Sequence, residues 1–317
     1  MTRMEKKIVF MGSPDFAVPV LEALARSYPI TGVVTQPDRP SGRGRFLSPP
    51  PVKEKALELG LPVFQPEKLR DPEVFLQLQA FHPDLIIVAA FGQILRRNVL
   101  ELPPLGCVNV HASLLPRWRG AAPVQAAILS GDCQTGITIM KMDAGIDTGA
   151  ILAQRAVDIL PEETAGALTS RLARVGADCL VDVLPGYMDG TIKPHPQDDA
   201  AATYAGMIAK EQGLLDFSQP ADVLARRVRA FHPWPSTYFS WEDMIIKVHR
   251  AHAVSGFTRP GKHILSGRKP AVGTADGCLV LDEVQPAGKK AMPGEVFLLG
   301  ARNWEAPDKL AERDADS

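Results

Sequence analysis

From residue 8 onward, short unbroken apolar runs alternate with amphipathic stretches. Strands are predicted at residues 8–11, 30–35, 62–64, 84–90, 107–111 and 136–142, and helices at 16–27, 52–59 and 71–81. Several strands are apolar throughout, as a sheet covered on both faces requires. Strands that alternate with crossover helices predict a parallel α/β sheet, in which ligands bind beyond the carboxyl ends of the strands. Residues 162–184 read as one long closing helix, opened by Glu162 and Glu163 after Pro161 and ended near Pro185 and Gly186. A polar, proline-bearing stretch follows. The predicted organisation is therefore a first domain over 1–188, a linker over 189–205 and a second domain over 206–317. In the second domain a helix at 221–231 precedes short β-rich runs at 244–248, 271–273 and 278–281. Glycine and proline turns separate them, which predicts a small β-barrel or sandwich.

Composition changes this picture at two points. The net charge of the 317 residues is only −1, but residues 206–292 carry 12 basic against 8 acidic side chains. Residues 1–205 carry 20 against 22, and the tail from 293 carries 3 against 6. A mildly basic second module between acidic stretches hints at a polyanionic partner. The four cysteines are scattered, with no Cys-x-x-Cys and no histidine at zinc-ligand spacing, so they are expected to be reduced, mostly core residues, with no metal. No apolar run reaches the roughly 18 residues of a membrane helix, and only a short polar lead precedes the first strand. The expectation is a cytoplasmic protein without a membrane partner or a targeting segment.

The chemistry must be sought in strand-end loops. After the first strand stands Gly12-Ser13-Pro14-Asp15, which lacks the glycine spacing of a dinucleotide-binding turn, so a Rossmann-like sheet here argues against NAD. No phosphate-binding Gly-Lys-Ser/Thr loop is present either. The densest constellation runs from Val108 to Gly120. Strand alternation points Asn109 and His111 to one side, Val108 and Val110 to the other. An asparagine amide can donate to a developing oxyanion and a histidine can move a proton near neutral pH; the same pair also reads as satisfied core residues. The loop after the next strand, 142–149, holds Asp143 and Asp147 among glycines. Asp147 can orient His111 or take its proton, or it can simply form a turn.

Taken jointly, Asn109-Val110-His111-Ala112-Ser113-Leu114-Leu115-Pro116, the following Arg119-Gly120, and Asp143-x-Gly145-x-Asp147-Thr148-Gly149 resemble the folate-dependent formyltransferases. The resemblance implies Asn109, His111 and Asp147 as the catalytic set, and Ser113, Leu114, Leu115 and Pro116 as the folate-contacting segment. It also implies 10-formyltetrahydrofolate as formyl donor and tetrahydrofolate as product. Residues 35–45, with Arg39, Arg43 and Arg45, are similar to the inserted loop of those members that formylate methionyl initiator tRNA. Physically, such a loop can follow phosphates and stack guanidinium planes on bases, or be a solvated surface loop.

Residues 230–235 and 285–292 resemble the C-terminal module of the same branch, an OB-like barrel that holds tRNA. There Lys289 and Lys290 are candidate phosphate contacts or a solvated turn, and Trp234, between two prolines, is expected to pack. Three positions depart from the pattern: Ala112 stands where many members have Gly, Met207 where Lys is common, and Phe217 where Trp is frequent. The implied protein is a bacterial, cytoplasmic, monomeric enzyme that formylates the α-amine of methionyl initiator tRNA. The alternative acceptor is an amino sugar nucleotide or another small amine.

Overall fold

The computed structural model describes residues 6–41, 46–256 and 258–305, and the chain divides into two units. The first comprises the chain up to 124, 133–159 and 167–206; the second comprises 125–132, 160–166 and everything from 207 on.

In chain order the elements up to residue 205 are β1 (Ile8–Gly12), α1 (Val18–Ser27), β2 (Ile30–Val34), β3 (Arg39–Ser41), β4 (Phe46–Ser48), α2 (Pro51–Glu58), β5 (Val63–Phe64), α3 (Pro72–Ala80), β6 (Leu85–Ala89), α4 (Arg97–Leu100), β7 (Cys107–His111), β8 (Arg119–Gly120), α5 (Pro123–Ser130), β9 (Gln134–Lys141), β10 (Ile151–Asp158), α6 (Ala165–Met188) and β11 (Tyr204–Ala205). A proline opens the first turn of α1, α2 and α3, where its missing N–H costs nothing and its fixed φ suits the helix. The wholly apolar β1 and β6 are buried along their full length.

Seven strands form one sheet in the order β10-β9-β7-β6-β1-β2-β5. The pairs from β7 to β5 are parallel, as expected. The expectation of a parallel sheet needs one correction, because β9 runs antiparallel to both β7 and β10. The turn from β9 into β10 is a direct reversal with no crossover helix between them, and only an antiparallel partner can be reached that way. The site strand β7 thus lies between the parallel strand β6 and the antiparallel strand β9. Apolar side chains of β1, β6 and α3, among them Val9, Met11, Ile86, Val88 and Leu78, form the core on one side of this sheet.

Helix α6 runs past Pro185 to Met188 instead of stopping before it. A proline so close to the C-terminal end deletes a single ladder bond, which the last turn tolerates. The stretch read as a linker also differs from its description. Ile151 and His195 exchange two backbone hydrogen bonds, and β11 pairs with β8, so residues 195–205 are knitted into the first unit.

The second unit holds α7 (Ala221–Ala230), β12 (Thr237–Trp241), β13 (Met244–Val254), β14 (His263–Ser266), β15 (Lys269–Gly273), β16 (Cys278–Pro286), β17 (Met292–Pro293) and α8 (Gly294–Leu298). Its sheet is antiparallel, in the order β12-β13-β16-β15-β14 with β17 on β16. Leu224 and Val228 of α7 join Phe239, Trp241, Leu281 and Trp304 in its core. Trp234 does not pack as expected: it is 57% exposed. Cys107, Cys179 and Cys278 are buried and Cys133 is exposed, all four as free thiols. Among the described residues no helix is long and apolar enough to cross a membrane, and no cluster of three His, Cys, Asp or Glu side chains could hold a metal.

Candidate active site

Strand β7 delivers two polar side chains to its carboxyl end. Asn109 and His111 are 9% and 6% exposed and stand two residues apart on one face of the strand. Among the described residues the Asn109 amide has no hydrogen-bond partner. The His111 ring, by contrast, is fixed from two sides. Its Nε2 lies 3.0 Å from the Trp118 carbonyl, which can only accept, so Nε2 carries a hydrogen and donates it there. Its Nδ1 is then turned to Asp147, 3.6 Å from Oδ2.

Asp147 is held in an unusual backbone conformation, with φ at +53°. Its Oδ2 accepts from the Gly120 N–H at 2.8 Å. The other carboxylate of the loop has different work: Asp143 Oδ1 accepts from the Gly145 N–H at 3.0 Å and from the Thr148 hydroxyl at 2.6 Å, closing the loop on itself. Trp118 and Ala90, in the loops after β7 and β6, are likewise left-handed, with φ of +63° and +46°. Such conformations are costly for residues with a Cβ and gather where a site dictates the backbone.

The segment 113–116 divides into two kinds of position. Ser113 and Leu115 are sealed: the Ser113 hydroxyl donates to the Arg117 carbonyl at 2.6 Å, and Leu115 packs with Met140 and Ile151. Thr138 ties the segment to β9, its hydroxyl donating to the Ser113 carbonyl and accepting from the Leu115 N–H. Leu114 and Pro116 are half-buried and remain accessible.

The structure brings His111 and Asp147 together, with Asn109 two residues along the same strand. The basic candidates lie elsewhere. Arg39 is exposed at the start of β3 and donates to Gln36 Oε1 at 3.2 Å; Arg43 and Arg45 lie outside the described residues. Lys289 and Lys290 are exposed in the turn after β16, whose backbone is braced by a bond from Gln285 Nε2 to the Lys289 carbonyl. Sequence reasoning missed two sets of residues. At the ends of β1, β2 and β6, the Phe91 carbonyl accepts from Ser13 Oγ and Gln36 Nε2, tying three strand-end loops together. At the Asp147 loop, Gln197 donates to the Asp147 carbonyl from a stretch whose polar, proline-bearing composition reads as linker. No local spacing marks either set.

Residues 6–184 match the formyl transferase family, and residues 207–302 match the formyl transferase C-terminal domain. The chain belongs to the formyl transferase family. This formyltransferase is 50% identical over 299 residues to the methionyl-tRNA formyltransferase of Chloroflexus aggregans, covering 93% of this chain and 97% of that protein. The methionyl-tRNA formyltransferase of Myxococcus xanthus is 48% identical over 295 residues, with 93% and 95% covered. Among solved structures, the fold is similar to methionyl-tRNA formyltransferase from Clostridium thermocellum, at a TM-score of 0.53 and 18% identity over 78% of this chain and 92% of that one. It is also similar to an N-formyltransferase from Helicobacter canadensis solved with folinic acid and dTDP-3-aminofucose, at a TM-score of 0.64 and 17% identity over 88% and 99%. HypX from Aquifex aeolicus, solved with tetrahydrofolic acid, gives a TM-score of 0.62 at 16% identity over 94% of this formyltransferase, which spans about half, 48%, of that longer chain.

Proposed function

We propose that this formyltransferase transfers the formyl group of 10-formyltetrahydrofolate to the α-amine of methionine carried by initiator tRNA, with Asn109, His111 and Asp147 as its catalytic residues. The observation that carries the chemistry is a buried amide without a protein partner, two residues from a histidine that a carboxylate faces at 3.6 Å. The acceptor is argued from relatives about half identical over nearly the full length, all named for methionyl-tRNA. Likeness to a sugar N-formyltransferase at 17% identity bears on the fold alone.

The bound folate supplies the formyl carbon and the nitrogen that leaves. The amine needs little activation, since an α-amine with a pKa near about 8 is partly neutral at cellular pH. What the protein must supply is stabilisation of the negative charge that develops on the formyl oxygen as the amine attacks. The free N–H groups of Asn109 are preorganised for that task, and a donor of this kind is typically worth about 3 to 4 kcal/mol. His111 contributes an imidazole whose Nε2–H is already committed to Trp118, so its Nδ1, beside Asp147, is the atom that takes the surplus proton from the attacking amine and returns it to the folate nitrogen as the C–N bond to the formyl carbon breaks. Asp147, with its carboxylate 3.6 Å from Nδ1, fixes the orientation of that ring. In this proposal the 113–116 segment contacts folate through its half-buried members, Leu114 and Pro116, with the buried Ser113 and Leu115 holding the segment in place.

Transfer RNA is held by phosphate contacts from Arg39, Arg43, Arg45, Lys289 and Lys290, and the enzyme works as a monomer in the bacterial cytoplasm. Arg43→Ala is expected to raise KM for methionyl initiator tRNA at least about tenfold and leave KM for the formyl donor nearly unchanged. An effect confined to the folate KM would move the loop to the folate site. The direct test of the reaction is to incubate the protein with 10-formyltetrahydrofolate and charged initiator tRNA and to look for N-formylmethionine after deacylation.

A further inference from the structure

We propose that Gln197 is a positioning residue for the reaction, fixing the Asp147 loop so that the carboxylate faces His111. The inference rests on the role given to Asp147 above and extends the site to a stretch of chain that sequence reading leaves outside it.

The geometry is complete at every polar atom of the Gln197 side chain. Its Nε2 donates to the carbonyl of Asp147 at 2.8 Å and to that of Gly149 at 2.7 Å, so both amide hydrogens are spent on one loop, two residues apart. Its Oε1 accepts from Arg119 Nε at 3.1 Å and from Arg119 Nη2 at 2.9 Å. The orientation of the amide follows from chemistry: a guanidinium can only donate and peptide carbonyls can only accept, so the reversed amide would lose all four contacts. Arg119 is itself 2% exposed and is held by Asp199, whose Oδ1 lies 2.7 Å from Nη2.

Asp147 needs such a brace. Its left-handed φ is unfavourable for a residue with a Cβ, so the loop would relax if nothing over-determined it. Two neighbours in sequence supply the restraint. Gly120 donates its N–H to the Asp147 carboxylate, and Arg119 grips the amide that grips the Asp147 backbone. The Arg119-Gly120 pair is strand β8, and β11 pairs with it just beyond Gln197. The carboxylate and the backbone of Asp147 are therefore referenced to one rigid dipeptide. Thr203 closes the frame, its carbonyl accepting from the Arg119 N–H and its hydroxyl from the Trp118 N–H, and the Trp118 carbonyl is the acceptor for His111 Nε2. Both ring nitrogens of His111 thus face groups that residues 197–205 hold in place.

The test is Gln197→Met, which keeps length and burial but removes every hydrogen bond, studied alone and in an Asp147→Asn background. Initial rates with varied formyl donor and varied methionyl initiator tRNA give kcat and both KM values. Hydrogen exchange followed by mass spectrometry gives a readout that needs no activity. The expected result is a kcat lowered about 10- to 100-fold, the cost of a small displacement of a reacting group, with both KM values within about twofold. In the Asp147→Asn background the same change should cost less than about twofold, because a residue acting through Asp147 has nothing left to position. Exchange should rise over residues 143–150 and stay unchanged over 107–113.

A full additional loss in the Asp147→Asn background, a loss carried by either KM, or unchanged exchange over 143–150 overturns the inference. If the unmodified protein transfers no formyl group, the proposed reaction fails, and exchange over 143–150 still decides whether Gln197 holds the loop.

Discussion

Asn109 carries a conflict between stability and function. The residue is 9% exposed and its side chain makes no hydrogen bond to another described residue, so folding gains no bond from this amide that an alanine would forfeit. Asn109→Ala is therefore expected to lower kcat about 100- to 1000-fold while the urea midpoint stays at or above that of the unmodified protein. A midpoint well below it, with turnover retained, would make Asn109 a packing residue. His232 in the second unit sets up a different conflict. Burial, and then the neighbouring His249, hold its imidazole below the ordinary 6.5, against a smaller opposing pull from Glu283, and its Nδ1 is buried without a partner among the described residues. The unfolded chain takes up a proton near 6.5 and the folded chain only at lower pH. Stability of this unit is unaffected by the group above that value and falls as pH drops below it. Urea midpoints followed from about pH 7.5 to about 5.5 should fall toward acid, and His232→Phe should flatten the slope.

At the scale of elements, the loop joining β9 to β10 matters most, because it carries Asp147. It closes by a bond from the Lys141 N–H to the Ala150 carbonyl at 2.8 Å, and a Cβ on Gly149 would collide with the Lys141 carbonyl oxygen. Gly149→Ala should cost about 1–3 kcal/mol by urea titration and should lower kcat as well, since the forced shift lies two residues from Asp147. An alanine variant with full stability and turnover would show that the loop has slack the structure does not indicate.

Elements such as β1 and β6 were legible because a strand buried on both faces leaves an unbroken apolar run, and β7 because its valines alternate with Asn109 and His111. The edge strand β10 was not legible: its one-sided burial spreads Ile151, Ala153 and Val157 among Gln154, Arg155 and Asp158. Helix α5 escaped for the opposite reason, since eight residues without a charge give no polar face to read. The site was legible where it lies on one strand or one loop, at Asn109, His111 and Asp147. Gln197 was invisible because its meaning comes entirely from tertiary pairing with Arg119 and with a loop about fifty residues away.

For the whole molecule, the near-neutral total charge conceals a basic second module, and the charge distribution, not the sum, bears on the partner. If phosphates are held by the arginine loop and by Lys289 and Lys290, KM for tRNA should rise steeply between about 50 and about 200 mM salt, whereas KM for the formyl donor should change far less. The two family matches cover residues 6–184 and 207–302, so the charge imbalance of residues 206–292 lies almost wholly within the second. The most direct measurement is formyl transfer by the purified protein, comparing methionyl initiator tRNA with an amino sugar nucleotide as acceptor and reading each product by mass spectrometry. The account predicts N-formylmethionine on the tRNA, its formation slowed about 100- to 1000-fold in Asn109→Ala, and no formylated sugar. Formylation of the sugar nucleotide with none on the tRNA would contradict it.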